Sequence, residues 1–271
     1  MTEISGDVRL SLGDRLRYLW RNGVRNISGF ARGPATRRFT PAVECLTNIT
    51  TQSPGRLLTE ACFAVTMEHA QQKGRPIEVL EIGCGSGSMA GRLARLGFRG
   101  NYVGIDVDDR FRVERTEGFG TAKFIHTDAH LYEPARPIDL LVSVSALEHI
   151  PRDGDLIRRL SQHMAPGGLE FHAVPAGPAL VAYLWHGYRQ YTPASLGERF
   201  GSDGTQIIRL GGLGSFLLHV LVITPEIFVR RFVRARAPGL YRALLRGALT
   251  VDRVLPICPT GYVVVRSHRD R

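Results

Sequence analysis

Several things are scarce in this chain, and each shortage excludes a class of protein. Four cysteines (Cys45, Cys62, Cys84 and Cys258) in 271 residues form no C-x-x-C pair. That excludes a disulfide-stapled scaffold and a cysteine-built metal centre, and it suits reduced thiols in the cytoplasm. No metal ligand set is expected. The uncharged run from Leu210 to Pro225 covers 16 residues, short of the roughly 20 that cross a bilayer, so no transmembrane helix is expected. The first ten residues are polar and no apolar core follows them, so no signal peptide is expected. No internal repeat or low-complexity tract is present.

What remains is ordinary in amount and uneven in arrangement. A hydrophobic fraction of 44% and a charged fraction of 22% fit one α/β domain with decorations. The net charge of +10 is concentrated at the ends: residues 1–40 carry +5, residues 230–271 carry +8, and the body between them is −3. Basic ends on an acidic body suit an anionic surface such as membrane lipid or a charged polymer. Solvated arginines on exposed helices are the alternative.

The most informative stretch is Ile77 to Gly87, I-E-V-L-E-I-G-C-G-S-G. Ile77, Val79, Leu80 and Ile82 read as a strand buried on both faces. Gly83, Gly85 and Gly87 form the turn, and a helix follows with Met89, Leu93 and Leu96 on one face and Gly97 as its stop. Strand, glycine turn and helix N-terminus make a nucleotide-binding element. The dinucleotide fingerprint requires a glycine where Ser88 stands, and Glu81 would repel a pyrophosphate. A ligand bearing an amine and a sulfonium would welcome that carboxylate. Tyr102 to Asp106 is a second strand, and Asp106 stands 19 residues after Gly87, the spacing of a carboxylate that holds ribose hydroxyls.

V-L-E-I-G-C-G-S-G resembles motif I of the class I S-adenosylmethionine-dependent methyltransferases, over about residues 54–210 and the last strand. The resemblance implies an α/β, Rossmann-like sheet of seven strands in order 3-2-1-4-5-7-6, the last antiparallel, with helices on both faces. It implies S-adenosyl-L-methionine as cofactor, with Glu81, Gly83, Cys84, Gly85 and Gly87 around its methionyl part and Asp106 and Val107 at the ribose. Asp128 and Ala129, after a third strand at 122–125, take the adenine position, although Asp128 also reads as a plain turn residue. The loop after the fourth strand (138–144), carrying Ser145 and His149, resembles that of small-molecule methyltransferases. It lacks the N-P-P-Y or D-P-P-Y box of base-amino enzymes and the paired Asp and Asn of the magnesium-dependent catechol type.

His149 is the candidate general base, since imidazole titrates near neutral pH; a structural role at the helix starting near Asp153 is the alternative. Pro166-Gly167-Gly168 is expected to stop that helix before a fifth strand at 169–174. Tyr188, Arg189 and Tyr191, after that strand, are expected to shape an acceptor pocket.

Domain organisation is expected as a basic helical arm over 1–52 and a methyltransferase domain over 53–271. In the arm, Leu12, Leu16, Leu19 and Trp20 share a helical face, and residues 22–41 read as a linker. A helical insertion at about 214–255, between the last two strands, combines the apolar Phe216 to Leu221 with Arg230, Arg231, Arg234 and Arg236. It is expected to meet lipid, partner or acceptor tail, with packing or a homodimer interface as the alternative. The expected acceptor is a small molecule, glycan or lipid-linked compound, methylated at oxygen. A quinone, a natural-product scaffold, or a non-catalytic cofactor-binding scaffold at a membrane or polyanion are the alternatives. Nucleic acid is disfavoured, and peripheral contact with the inner membrane surface is compatible with a cytoplasmic protein.

Overall fold

The computed structural model describes residues 4–30, 33–43, 46, 51–70, 75–111, 119–229 and 233–268. Eight strands form one sheet: β1 (Arg37–Arg38), β2 (Ile77–Ile82), β3 (Gly100–Asp106), β4 (Phe119–His126), β5 (Ile138–Val144), β6 (Met164–Pro175), β7 (Thr205–Leu210) and β8 (Gly261–Ser267). Their order is β1-β7-β8-β6-β5-β2-β3-β4. The expectation of seven strands is corrected to eight, because the two-residue β1 adds to the edge of β7, parallel to it at Ile208 and Arg209. The other seven keep the expected sequence of neighbours. From β4 through β6 the pairings are parallel. Along β8 the chain runs against β7, since Thr260 N–H donates to Leu210 O and Ser267 N–H to Gly204 O.

Near-continuous burial along β2 and β5 is what their apolar runs dictate for central parallel strands. Leu80, Ile82, Ile105, Ile138 and Leu141 share a core with Leu156 and Leu160 of the helix over Asp153–Ser161. The helices that precede the insertion are α1 (Leu12–Phe30), α2 (Pro54–Ala70), α3 (Ser88–Arg95), α4 (Asp153–Ser161), α5 (Ala179–Tyr183) and α6 (Pro193–Phe200).

Three local expectations are corrected. Residues 22–30 are not linker but the second half of α1. Gly29 permits close contact instead of breaking the helix: a side chain there would overlap Thr192. Pro166-Gly167-Gly168 does not separate helix from strand. Pairing of β6 opens at Met164 opposite Ile138 and resumes at Leu169 opposite Leu140, so the three residues form an irregularity inside the strand. The insertion holds more than two helices: α7 (Leu213–Leu218), a π-helical turn (His219–Ile223), α8 (Thr224–Val229), α9 (Val233–Arg236) and α10 (Pro238–Val254). The π turn ends two residues before Pro225, whose missing N–H disturbs the ladder of the preceding turn. A side chain on Gly214 would overlap the Ala248 backbone, so α7 and α10 pack closely. Arg230 and Arg231 of the expected arginine cluster, Cys45, and most of the segment after Asp109 lie outside the described residues.

Two compact units result. One comprises Met1–Cys62, Val174–Ser195 and Ile207–Val263 and holds α1 and the insertion. The other comprises Phe63–Ala173, Leu196–Gln206 and Val264–Arg271 and holds the glycine turn. No helix among the described residues is long and apolar enough to cross a membrane.

Candidate active site

The site is built at the carboxyl ends of β2, β3 and β5, where ligands of open parallel sheets bind. As β2 ends, the chain turns through Gly83, Gly85 and Gly87 with φ of 68°, 51° and 80°, conformations that side chains rarely adopt. Gly83 and Cys84 N–H both donate to Ile105 O, at 2.8 and 3.1 Å, which ties the turn to β3. A side chain on Gly87 would overlap the Phe124 ring, whereas nothing lies within 4 Å of the position a side chain would take at Gly85. The turn is therefore closed on its β4 side and open to space at Gly85.

Two carboxylates border it. Asp106 Oδ2 accepts the Gly85 N–H at 2.7 Å and Oδ1 accepts the Asp108 N–H at 2.9 Å. The one carboxylate orders both loops, and each of its oxygens keeps a lone pair for a ligand hydroxyl. Glu81 is 5% exposed and accepts a hydrogen bond from the Tyr102 hydroxyl. Burial pushes the Glu81 carboxyl up to about 8, opposed by the Tyr102 hydrogen bond and Arg92 and reinforced by Asp106. Burial, then Glu81 and Asp106, push the Cys84 thiol up to about 12. Cys84 is thus a neutral, inert wall and not a nucleophile.

Sequence reasoning missed Tyr102 and Gly104. Gly104 lies opposite Glu81 in the β2–β3 register, and a side chain there would press on Cys84 and, at 3.0 Å, on the Tyr102 hydroxyl. An isolated glycine inside an apolar strand was the available signal.

Beyond β5, Ser145 is exposed with φ of 51°, and its N–H donates to Ala173 O at 2.9 Å. A side chain on Gly83 would overlap that of Ala146, so this loop abuts the glycine turn. A 3-10 turn over Leu147–His149 follows. His149 Nε2 stands 3.9 Å from Oε1 of the buried Glu148, beyond hydrogen-bond length.

The other expected residues sit as follows. Asp128 is exposed, its Oδ1 accepting the His130 N–H at 2.8 Å in a turn. Val107 is exposed and Ala129 buried. Tyr188, Arg189 and Tyr191 belong to the other unit, where Arg189 and Tyr191 are fully buried and Tyr191 pairs with Ala176. Arg189 lies 5.7 Å from the Tyr188 ring centre.

A turn open at Gly85, rimmed by two carboxylates, suits a cationic ligand with vicinal hydroxyls and not a phosphate. A family model described as a methyltransferase domain matches residues 55–200. An uncharacterized methyltransferase of Mycobacterium tuberculosis is 35% identical over 184 residues, covering 66% of this chain and 87% of that protein. A ubiquinone biosynthesis O-methyltransferase of Shewanella pealeana is 30% identical over 100 residues, 35% of this chain and 42% of that one. A solved SAM-dependent methyltransferase from Thiobacillus denitrificans, in complex with S-adenosyl-L-homocysteine, is 20% identical with a TM-score of 0.47, covering 76% and 90% of the two chains. The chain belongs to the class I S-adenosylmethionine-dependent methyltransferases.

Proposed function

We propose that this methyltransferase modifies an oxygen of a small-molecule or glycan acceptor. Bound S-adenosylmethionine supplies an electrophilic methyl group on a sulfonium. Glu81 would hold the cofactor's amine, Asp106 the ribose hydroxyls and Asp128 the adenine amino group. Val107, Ala129 and Ser145 would complete the walls. Methyl transfer is an in-line displacement, so the chain's main tasks are alignment and exclusion of water. An acceptor hydroxyl must also lose its proton, and His149 would take it. Glu148 beside it would stabilise the imidazolium that forms.

The observation that carries this reading is the contact between Ala146 and Gly83, which joins the loop bearing His149 to the cofactor turn. The name of the Shewanella relative supports oxygen as the methylated atom and a small molecule as acceptor.

The test is to incubate the full chain with methyl-labelled S-adenosylmethionine and size-fractionated cell extract. Label is expected in a low-mass product as a base-stable ether. Label in protein or nucleic acid, or cofactor binding with no transfer to any fraction, would overturn the reading.

A further inference from the structure

Helix α1 is oriented against its own amphipathic pattern. Leu12, Leu16, Trp20, Val24 and Ile27 recur at spacings of three and four, a stripe that a globular protein ordinarily turns inward. Here Tyr18, Asn22 and Asn26 are the buried residues. Asn26 Nδ2 donates to Gly177 O and Asn22 Nδ2 to Tyr18 O, each at 3.1 Å. The Tyr18 hydroxyl donates to His186 O at 2.7 Å and accepts from Gln190 Nε2 at 3.1 Å. The Asn26 and Tyr18 bonds, which leave the helix, fix which side faces in, because rotating it would strand those buried polar groups. The apolar stripe is left bare: Leu12 is 75% exposed, Trp20 76% and Ile27 78%.

The same unit exposes further apolar side chains on the insertion, among them Leu221, Ile227, Leu240 and Val254. It also carries the chain's charge. Eighteen arginines against seven carboxylates, with no lysine, give it +11, and the other unit is −1. Arg9, Arg15 and Arg17 are exposed around the first half of the stripe. A second copy of the chain would bring +11 against +11, so self-association through this face meets repulsion. An anionic lipid surface satisfies both features at once: headgroups for the arginines, and the acyl boundary for a helix about 28 Å long lying flat.

We propose that this unit docks on an anionic membrane surface with α1 embedded along its apolar stripe. The proposal does not depend on the identity of the acceptor.

The test uses the full chain with vesicles of phosphatidylcholine alone or mixed with phosphatidylglycerol. Binding should require the anionic lipid and fall with added salt. In a Trp185→Phe background, Trp20 emission should shift to the blue and be quenched by brominated acyl chains. The double substitution Leu16→Glu, Trp20→Glu should weaken vesicle binding at least about tenfold, with the circular dichroism spectrum unchanged. No binding at low salt, or binding untouched by the double substitution, would overturn the proposal. So would finding that the double substitution only converts a dimer into monomers.

Discussion

The Glu81 carboxylate accepts a hydrogen bond from the Tyr102 hydroxyl across the β2–β3 pair, and both residues are buried. Gly104 makes the approach possible, since it stands opposite Glu81 and leaves the space that the Tyr102 ring tip and Cys84 occupy. The acid is thereby held at the base of the glycine turn, deep enough to favour its proton.

Asp106 orders two loops, and the proposed function also gives it the ribose hydroxyls. Asp106→Asn replaces one acceptor oxygen by an amide that faces the Gly85 or Asp108 N–H. Affinity for S-adenosyl-L-homocysteine should fall at least about tenfold, since hydrogen bonds to a charged group contribute about 1.5–3 kcal/mol. Calorimetry that finds full-strength binding by the variant would remove Asp106 from the ribose.

His149→Ala should lower turnover about 10²- to 10⁴-fold while cofactor affinity stays near that of the wild type. Equal turnover by both proteins, on an acceptor whose hydroxyl does not ionise unaided, would leave His149 without a role in proton removal.

Glu170 forms a buried network with Ser161 at 2.7 Å, His172 at 3.2 Å and His268 at 2.6 Å. Burial alone would raise its affinity for a proton, but the His172, His268 and Ser161 hydrogen bonds prevail and hold the carboxyl well below the usual range. A depressed carboxylate contributes stability above its unfolded value and loses it as pH falls through its folded value. Glu170→Gln should therefore cost about 1.5–3 kcal/mol at neutral pH. In urea unfolding the gap should narrow below about pH 4. A gap that stays constant with pH would show that the loss is one of packing.

Much of this was legible in the sequence, for physical reasons. A doubly buried strand must be an apolar run, and a tight turn under a ligand must be glycine, so β2, the turn and Asp106 announce themselves. Tyr102 did not, because its meeting with Glu81 depends on the register of two strands that are separate in sequence. The expectation that 22–30 is linker failed because glycine was read as a breaker where Gly29 serves close contact with Thr192. Periodicity put Leu12, Leu16 and Trp20 on one face of α1, stopped short of Val24 and Ile27, and could not say which way that face turns. That is decided by the Asn26 bond to Gly177 and the Tyr18 bond to His186, both long-range in the chain.

The most direct test of the account is the pH dependence of S-adenosyl-L-homocysteine binding, measured by calorimetry in buffers of differing ionisation enthalpy. Glu81 is raised from 4.5 to about 8 in the free protein, so its stabilising effect is full below the lower value and lost as pH rises through the upper one. A ligand amine against the carboxylate favours its ionised form. Binding between these values should therefore release a proton, and affinity should rise with pH up to about 8. Glu81→Gln should abolish both effects. No binding at any pH, or proton release unchanged in Glu81→Gln, would contradict the assignment of this turn as the cofactor site.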